Sequence, residues 1–95
     1  MIYKLKFTPI SDKEWKKVTF AVQNQFKKKF EKILHNPRIP KNKLSGYNNI
    51  YKIKLRSAGF RLVYEVKEEV IVILVLGVGK RENNKVYESL KDRVE

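Results

Sequence analysis

Residues Tyr51-Lys52-Ile53-Lys54-Leu55-Arg56 alternate apolar and basic side chains without a break. A period of two belongs to a β-strand with one face buried, and a helix cannot satisfy it. Ser57-Ala58-Gly59 follows as a turn in which Gly59 can take positive φ. Phe60 to Val66 then returns, with Leu62, Tyr64 and Val66 on the buried parity. The segment is expected to be an antiparallel hairpin. With Arg56 placed opposite Arg61, Lys54 faces Val63 and Lys52 faces Glu65, and opposed residues share a face. Lys52, Lys54, Arg56 and Arg61 then make one basic surface. Register is specified, because a one-residue slip would bury these cations.

The rest of the chain supplies what covers the other face. Tyr3, Leu5 and Phe7 alternate in a first strand, which Pro9 breaks. Ser11 and Glu14 have capping-box spacing for a short helix through Trp15 and Val18. Thr19 can cap a longer helix in which Val22, Phe26, Phe30, Ile33 and Leu34 recur at helical spacing. That helix ends by Asn36, since Pro37 disfavours helical geometry before it. A loop rich in Pro, Asn, Lys and Gly runs from 37 to 49. Lys67-Glu68-Glu69 makes a turn, and Val70 to Leu76 is continuously apolar, the pattern of a strand covered on both faces. Gly77 and Gly79 bracket its end. Asn83 or Asn84 can cap a last helix with Val86, Leu90 and Val94 on one side.

No repeat or linker interrupts this order, so residues 1–95 are expected to form a single small α+β domain. Its order is β-α-α-β-β-β-α, with a mainly antiparallel four-stranded sheet and helices packed on one face. Trp15 and the phenylalanines of the second helix belong to the core. His35 lies in that helix's last turn, where it complements the helix dipole.

Charge narrows the function. The 22 Lys and Arg against 10 Asp and Glu leave a formal charge of +12, which implies an anionic partner. Much of that charge falls on strands and loops rather than on an amphipathic helix, which favours nucleic acid over a membrane surface. No run is apolar enough to span a bilayer. There is no Cys, which excludes a disulfide framework, a Cys-ligated zinc and a thiol nucleophile. No Asp/Glu/His cluster has ligand spacing, so neither a metal nor a cofactor is expected.

Lys, Arg and Tyr can still support cleavage of RNA by its own 2′-hydroxyl, because the substrate brings the nucleophile. Arginines offset charge on the phosphorane. A lysine acts as base only if its pKa falls, and neighbouring like charges push it that way. Lys52, Lys54 and Arg61 on one face would be such neighbours. Lys80-Arg81 follows the buried strand on a rigid support. Tyr87, off the core stripe of the last helix, either stacks on a base or packs over the helix–sheet seam.

Tyr51 to Tyr64, then Val78-Gly79-Lys80-Arg81-Glu82 and Val86-Tyr87, together with Lys13-Glu14-Trp15-Lys16-Lys17 and Asn36-Pro37-Arg38-Ile39, closely resemble the RelE toxins of bacterial type II toxin–antitoxin systems. The resemblance extends along nearly the whole chain. It implies a cytoplasmic, metal-independent endoribonuclease that enters the ribosomal A site and cuts messenger RNA, leaving 2′,3′-cyclic phosphate and 5′-hydroxyl ends. By position it implies that Lys52 and Lys54 are the basic pair, with Lys54 the general base. Arg61 would stabilise the phosphorane, Arg81 would stabilise it or protonate the leaving 5′-oxygen, and Tyr87 would stack on a messenger base. Lys27, Lys28, Lys32, Arg38, Lys41, Lys43, Arg56 and Lys80 would contact RNA, including the 16S rRNA of the small subunit. Where some relatives carry Arg, this chain has Asn83, which puts one phosphate contact in doubt. The implied protein partner is a RelB-like antitoxin that keeps the toxin off the ribosome and, as a further expectation, represses its own operon with it. Two other readings are a nonenzymatic ParE-like inhibitor of DNA gyrase and a plain RNA- or ribosome-binding module. Retention of the five-residue basic and aromatic set argues against the first.

Overall fold

The computed structural model describes residues 2–80. Within them lie β1 (Lys4–Phe7), α1 (Pro9–Lys16), α2 (Phe20–Ile33), β2 (Ile50–Leu55), β3 (Phe60–Lys67) and β4 (Val72–Lys80), with short 3-10 turns at Pro40–Asn42 and Glu68–Val70. The expected last helix, and with it Arg81, Asn83 and Tyr87, lies outside the described residues. The four strands form one sheet in the order β1-β4-β3-β2. β2/β3 and β3/β4 are antiparallel, while β1 joins β4 in parallel. The sheet is therefore mixed, because β1 takes the edge beside the last strand. Ile71 prepares that pairing: it takes φ 55°, and its carbonyl accepts from the Lys4 N–H at 2.9 Å.

One face of the sheet carries the main core. Tyr51, Ile53 and Leu55, Leu62, Tyr64 and Val66, and Ile73, Val75 and Val78 pack there against Phe26, Phe30 and Ile33 of α2, with Val22 and Leu34 at the margin. Trp15 joins Phe7, Phe26 and Phe30 at ring separations of 5.5, 6.0 and 5.7 Å, within the range where aromatic pairs attract. Tyr64 is wholly buried beneath this layer, and its hydroxyl donates to the Pro37 carbonyl at 2.7 Å. Burial pushes that phenol well above its usual pKa, so it stays a neutral donor.

Four local expectations are corrected. The first helix begins a turn earlier than Ser11: Thr8 is its cap and Pro9 its first residue, a position where a missing N–H costs nothing. Thr8 and Ser11 exchange the reciprocal capping bonds at 3.0 and 2.9 Å. Glu14 instead reaches β4, where its Oε1 accepts from the Val78 N–H at 3.3 Å. Thr19 does sit at the start of α2, but its side chain makes no capping bond.

The hairpin register differs by two residues. Leu55 faces Phe60, so Lys54 faces Arg61 and Lys52 faces Val63. The turn is Arg56 to Gly59, closed by the Gly59 N–H on the Leu55 carbonyl at 2.8 Å, with Gly59 at φ 72°. A shift of two preserves which face each side chain takes. Finally, β4 runs through Gly77 and Gly79 rather than stopping before them. A bulge at Val63/Tyr64 lets Val75 and Val78, three apart, share the core face.

Two stability outcomes follow. Phe26→Ala, at a site with no solvent exposure, should cost about 3–5 kcal/mol in urea unfolding. Gly59→Ala should cost about 1 kcal/mol through the left-handed backbone it must hold, and an unchanged midpoint would contradict the turn geometry.

Candidate functional site

The sheet face away from the helices is not open throughout, as the sequence led us to expect. Ile50, Val63 and Leu76 are buried there under Leu44 and Tyr47 of the 37–49 loop. That cover occupies one end of the face. The other end carries the row Lys54, Arg61 and Gly79, aligned across β2, β3 and β4. Gly79 has no side chain, so β4 itself projects nothing beside Arg61 at that position. Both cations are part-exposed, and the Arg61 Nε is shielded from solvent.

The pairing brings Lys54 and Arg61 as close as a sheet allows. The Val66 N–H donates to the Asn49 carbonyl at 2.8 Å, so bonded pairs fall at Tyr51/Tyr64, Ile53/Leu62 and Leu55/Phe60. Lys54/Arg61 is then a non-hydrogen-bonded pair, with Cα atoms about 4.5 Å apart and side chains at their closest. Like charges directly opposed are unfavourable by some tenths of a kcal/mol. An anion lying between them reverses that sign, and a phosphodiester in this position would meet a flexible ammonium and a rigid multi-donor guanidinium together.

Because β2 is an edge strand, Lys52 and Lys54 also reach a second surface. They border a groove of about 530 Å³ between β2, the second half of α2 and the Pro40–Asn42 turn, whose other cations are Lys29, Lys32, Lys41 and Arg56. A smaller hollow of about 300 Å³ continues it along α2, past Gln25 and Lys28. Lys28, Lys32, Lys41 and Arg56 are thus gathered with the proposed basic pair. Lys29 and Asn42 belong with them and were not singled out from the sequence. The signal was present: on a 100° helical wheel Lys29 and Lys32 fall on one flank of the Phe26–Phe30–Ile33 stripe and Lys27 on the other.

Other expected contacts are placed elsewhere. Lys27 lies over the Phe20 ring, 5.9 Å from its centre. Lys80 pairs with Phe60 and so has the parity opposite to Arg61. Lys43 is exposed and forms an isolated bridge with Tyr51. His35 is exposed in the turn after α2. Arg38 ties three segments together: it donates to Glu68 at 2.6 Å, Asn49 Oδ1 at 2.9 Å, Tyr51 Oη at 3.3 Å and the Asn48 carbonyl at 3.4 Å. Its bond to Glu68, then that to Tyr51, raise its pKa further. Its fork is committed to holding the loop against the start of β2, which favours a structural role over the RNA contact expected of it.

Comparison with known proteins gives a consistent picture. The family described as ParE toxin of type II toxin-antitoxin system, parDE, matches residues 5–85. The mRNA interferase toxin RelE of Escherichia coli K12 is 48% identical over 94 residues, spanning 99% of each chain. A double arginine-to-alanine mutant of E. coli RelE in the free state superposes with a TM-score of 0.91 at 46% identity, covering 100% of both chains. The toxin in the intact E. coli RelBE toxin–antitoxin complex gives 0.79 at 50% identity, covering 82% of this chain and 95% of that one.

Removing the Arg38 fork should lower stability by about 1–2 kcal/mol in urea unfolding, the scale of charge-assisted hydrogen bonds reduced for partial exposure. Arg38→Lys should recover less than half of this, because an ammonium cannot span those acceptors. Full recovery would show that charge alone matters.

Proposed function

The chain belongs to the RelE/ParE family of type II toxins, and from that premise we infer that it is an mRNA interferase working on the translating ribosome. The observation that carries the reading is the Lys54–Arg61 pair, two basic side chains opposed at minimum spacing across β2 and β3. The near-half identity to an mRNA interferase over the full length supports it, and neither feature is called for by a nonenzymatic gyrase inhibitor.

The proposed reaction is internal transesterification. The ribose 2′-oxygen attacks the adjacent phosphorus, its proton passes to Lys54 reacting as the neutral amine, and the P–O5′ bond breaks. The products are a 2′,3′-cyclic phosphate and a 5′-hydroxyl, which receives a proton as it leaves. Arg61, rooted in β3, donates to the phosphorane oxygens as their charge grows. Lys52, two residues along the same edge, adds positive potential. Arg81 and Tyr87 enter from sequence alone: Arg81 at the phosphorane or the leaving oxygen, Tyr87 stacked on a messenger base. The ribosome presents the message in the A site and supplies 16S rRNA for the remaining basic surface. The protein partner is a RelB-like antitoxin, as in the E. coli complex. Among the described residues no helix is long and apolar enough to cross a membrane, in keeping with a cytoplasmic site of action.

Primer extension on ribosome-bound message, with free message as control, tests this. Cutting should appear on the ribosome and be nearly absent from free RNA; equal cutting of both would reject ribosome dependence. Arg61→Ala should slow single-turnover cleavage by about 10²–10³, the scale of one lost transition-state donor, and wild-type speed would reject its role.

A further inference from the structure

The groove behind the edge strand is larger than one scissile phosphate needs. Six cations border it: Lys29, Lys32, Lys41, Lys52, Lys54 and Arg56. Its apolar floor is narrow, since Ile33 and Ile53 are only 2% and 5% exposed and Ile39 alone of its apolar lining is part-exposed. Gln25, Lys28 or Lys29, and Lys32 recur at i, i+3/i+4 and i+7, so the polar track along α2 is about 10 Å long at 1.5 Å per residue. That length is roughly three times the ~3.4 Å charge spacing of one stacked nucleic-acid strand.

We infer that this groove is a subsite for single-stranded RNA flanking the scissile bond, holding about three phosphates after the strand crosses β2 at Lys54. The inference rests on the function proposed above and extends it: Lys54 faces Arg61 on the sheet and borders the groove at its edge. β2 therefore acts as a saddle, with chemistry on one side and strand-holding on the other. Lys29, Lys32 and Lys41 bind the flank without touching the reacting atoms. An acidic peptide would use the same charges, but it would need exposed apolar floor for its own side chains.

The test is fluorescence anisotropy with the full-length chain and a labelled uridine oligomer carrying 2′-O-methyl groups, which cannot be cut. The combined variant Lys29→Gln, Lys32→Gln, Lys41→Gln should make the slope of log K against log salt shallower by about 2, at ~0.7 per phosphate contact. Replacement of the same three by Arg should keep the slope, and Lys13→Gln on α1 should leave it unchanged. An RNA duplex should bind more weakly than the single strand, and polyglutamate of equal charge should compete poorly. An unaltered slope in the Gln variant overturns the subsite. So does tighter binding of the duplex, or effective displacement by polyglutamate. Cleavage on programmed ribosomes is read in parallel. Wild-type protein that fails to cut but shows the slope change refutes the function while leaving the groove, and normal cutting with no slope change does the reverse.

Discussion

Two like charges facing each other across β2 and β3 are the constraint on which the site depends. Lys54 and Arg61 do not meet by mutual attraction. They are held by everything the alternate residues bury: Tyr51, Ile53 and Leu55 on one strand, Leu62, Tyr64 and Val66 on the other. Burying apolar side chains contributes about 1.5–3 kcal/mol each, whereas the opposed cations cost tenths. The core wins easily, and its excess holds the two basic side chains opposite each other. Such preorganisation is what electrostatic catalysis requires, because donors need not rearrange as charge develops.

The rest of the fold shapes what lies around that pair. The 37–49 loop closes one end of the sheet face with Leu44 and Tyr47, and Arg38 fastens it to Asn49, Tyr51 and Glu68. The bulge in β4 keeps Val75 and Val78 in the core while leaving glycine at the position beside Arg61. The Lys54–Arg61 row thus lies between the loop at one end of the face and a glycine of β4 beside Arg61. The edge position of β2 then connects it to the lysine groove along α2.

Much of this was legible in the residues. Strict alternation from Tyr51 to Arg56 announced the hairpin and its two faces, and the helical recurrence of Phe26, Phe30 and Ile33 announced the layer above it. What eluded sequence reasoning was decided by geometry beyond the period. Both registers keep the same residues buried, so hydrophobic pattern could not choose between Arg56 and Lys54 as the partner of Arg61; the Leu55–Gly59 turn bond chose. Ser11 was expected to cap α1, but its hydroxyl donates to the Val75 carbonyl at 2.7 Å and Thr8 is the cap, a tertiary contact that spacing does not reveal. The committed fork of Arg38 was invisible because its acceptors lie 10 to 30 residues away in sequence. The proposed roles of Arg81 and Tyr87 rest on the likeness to RelE, beyond what composition or spacing alone supports.

If Lys54 and Arg61 grip one phosphodiester as a unit, their effects on its cleavage cannot be independent. A double-mutant cycle in single-turnover cleavage on programmed ribosomes measures this directly. The account predicts that Lys54→Ala combined with Arg61→Ala is slowed by no more than about threefold beyond the slower single variant, since residues acting as a unit are grossly non-additive. Losses that multiply in full would mean that the two side chains act at separate places, and the shared site would be contradicted.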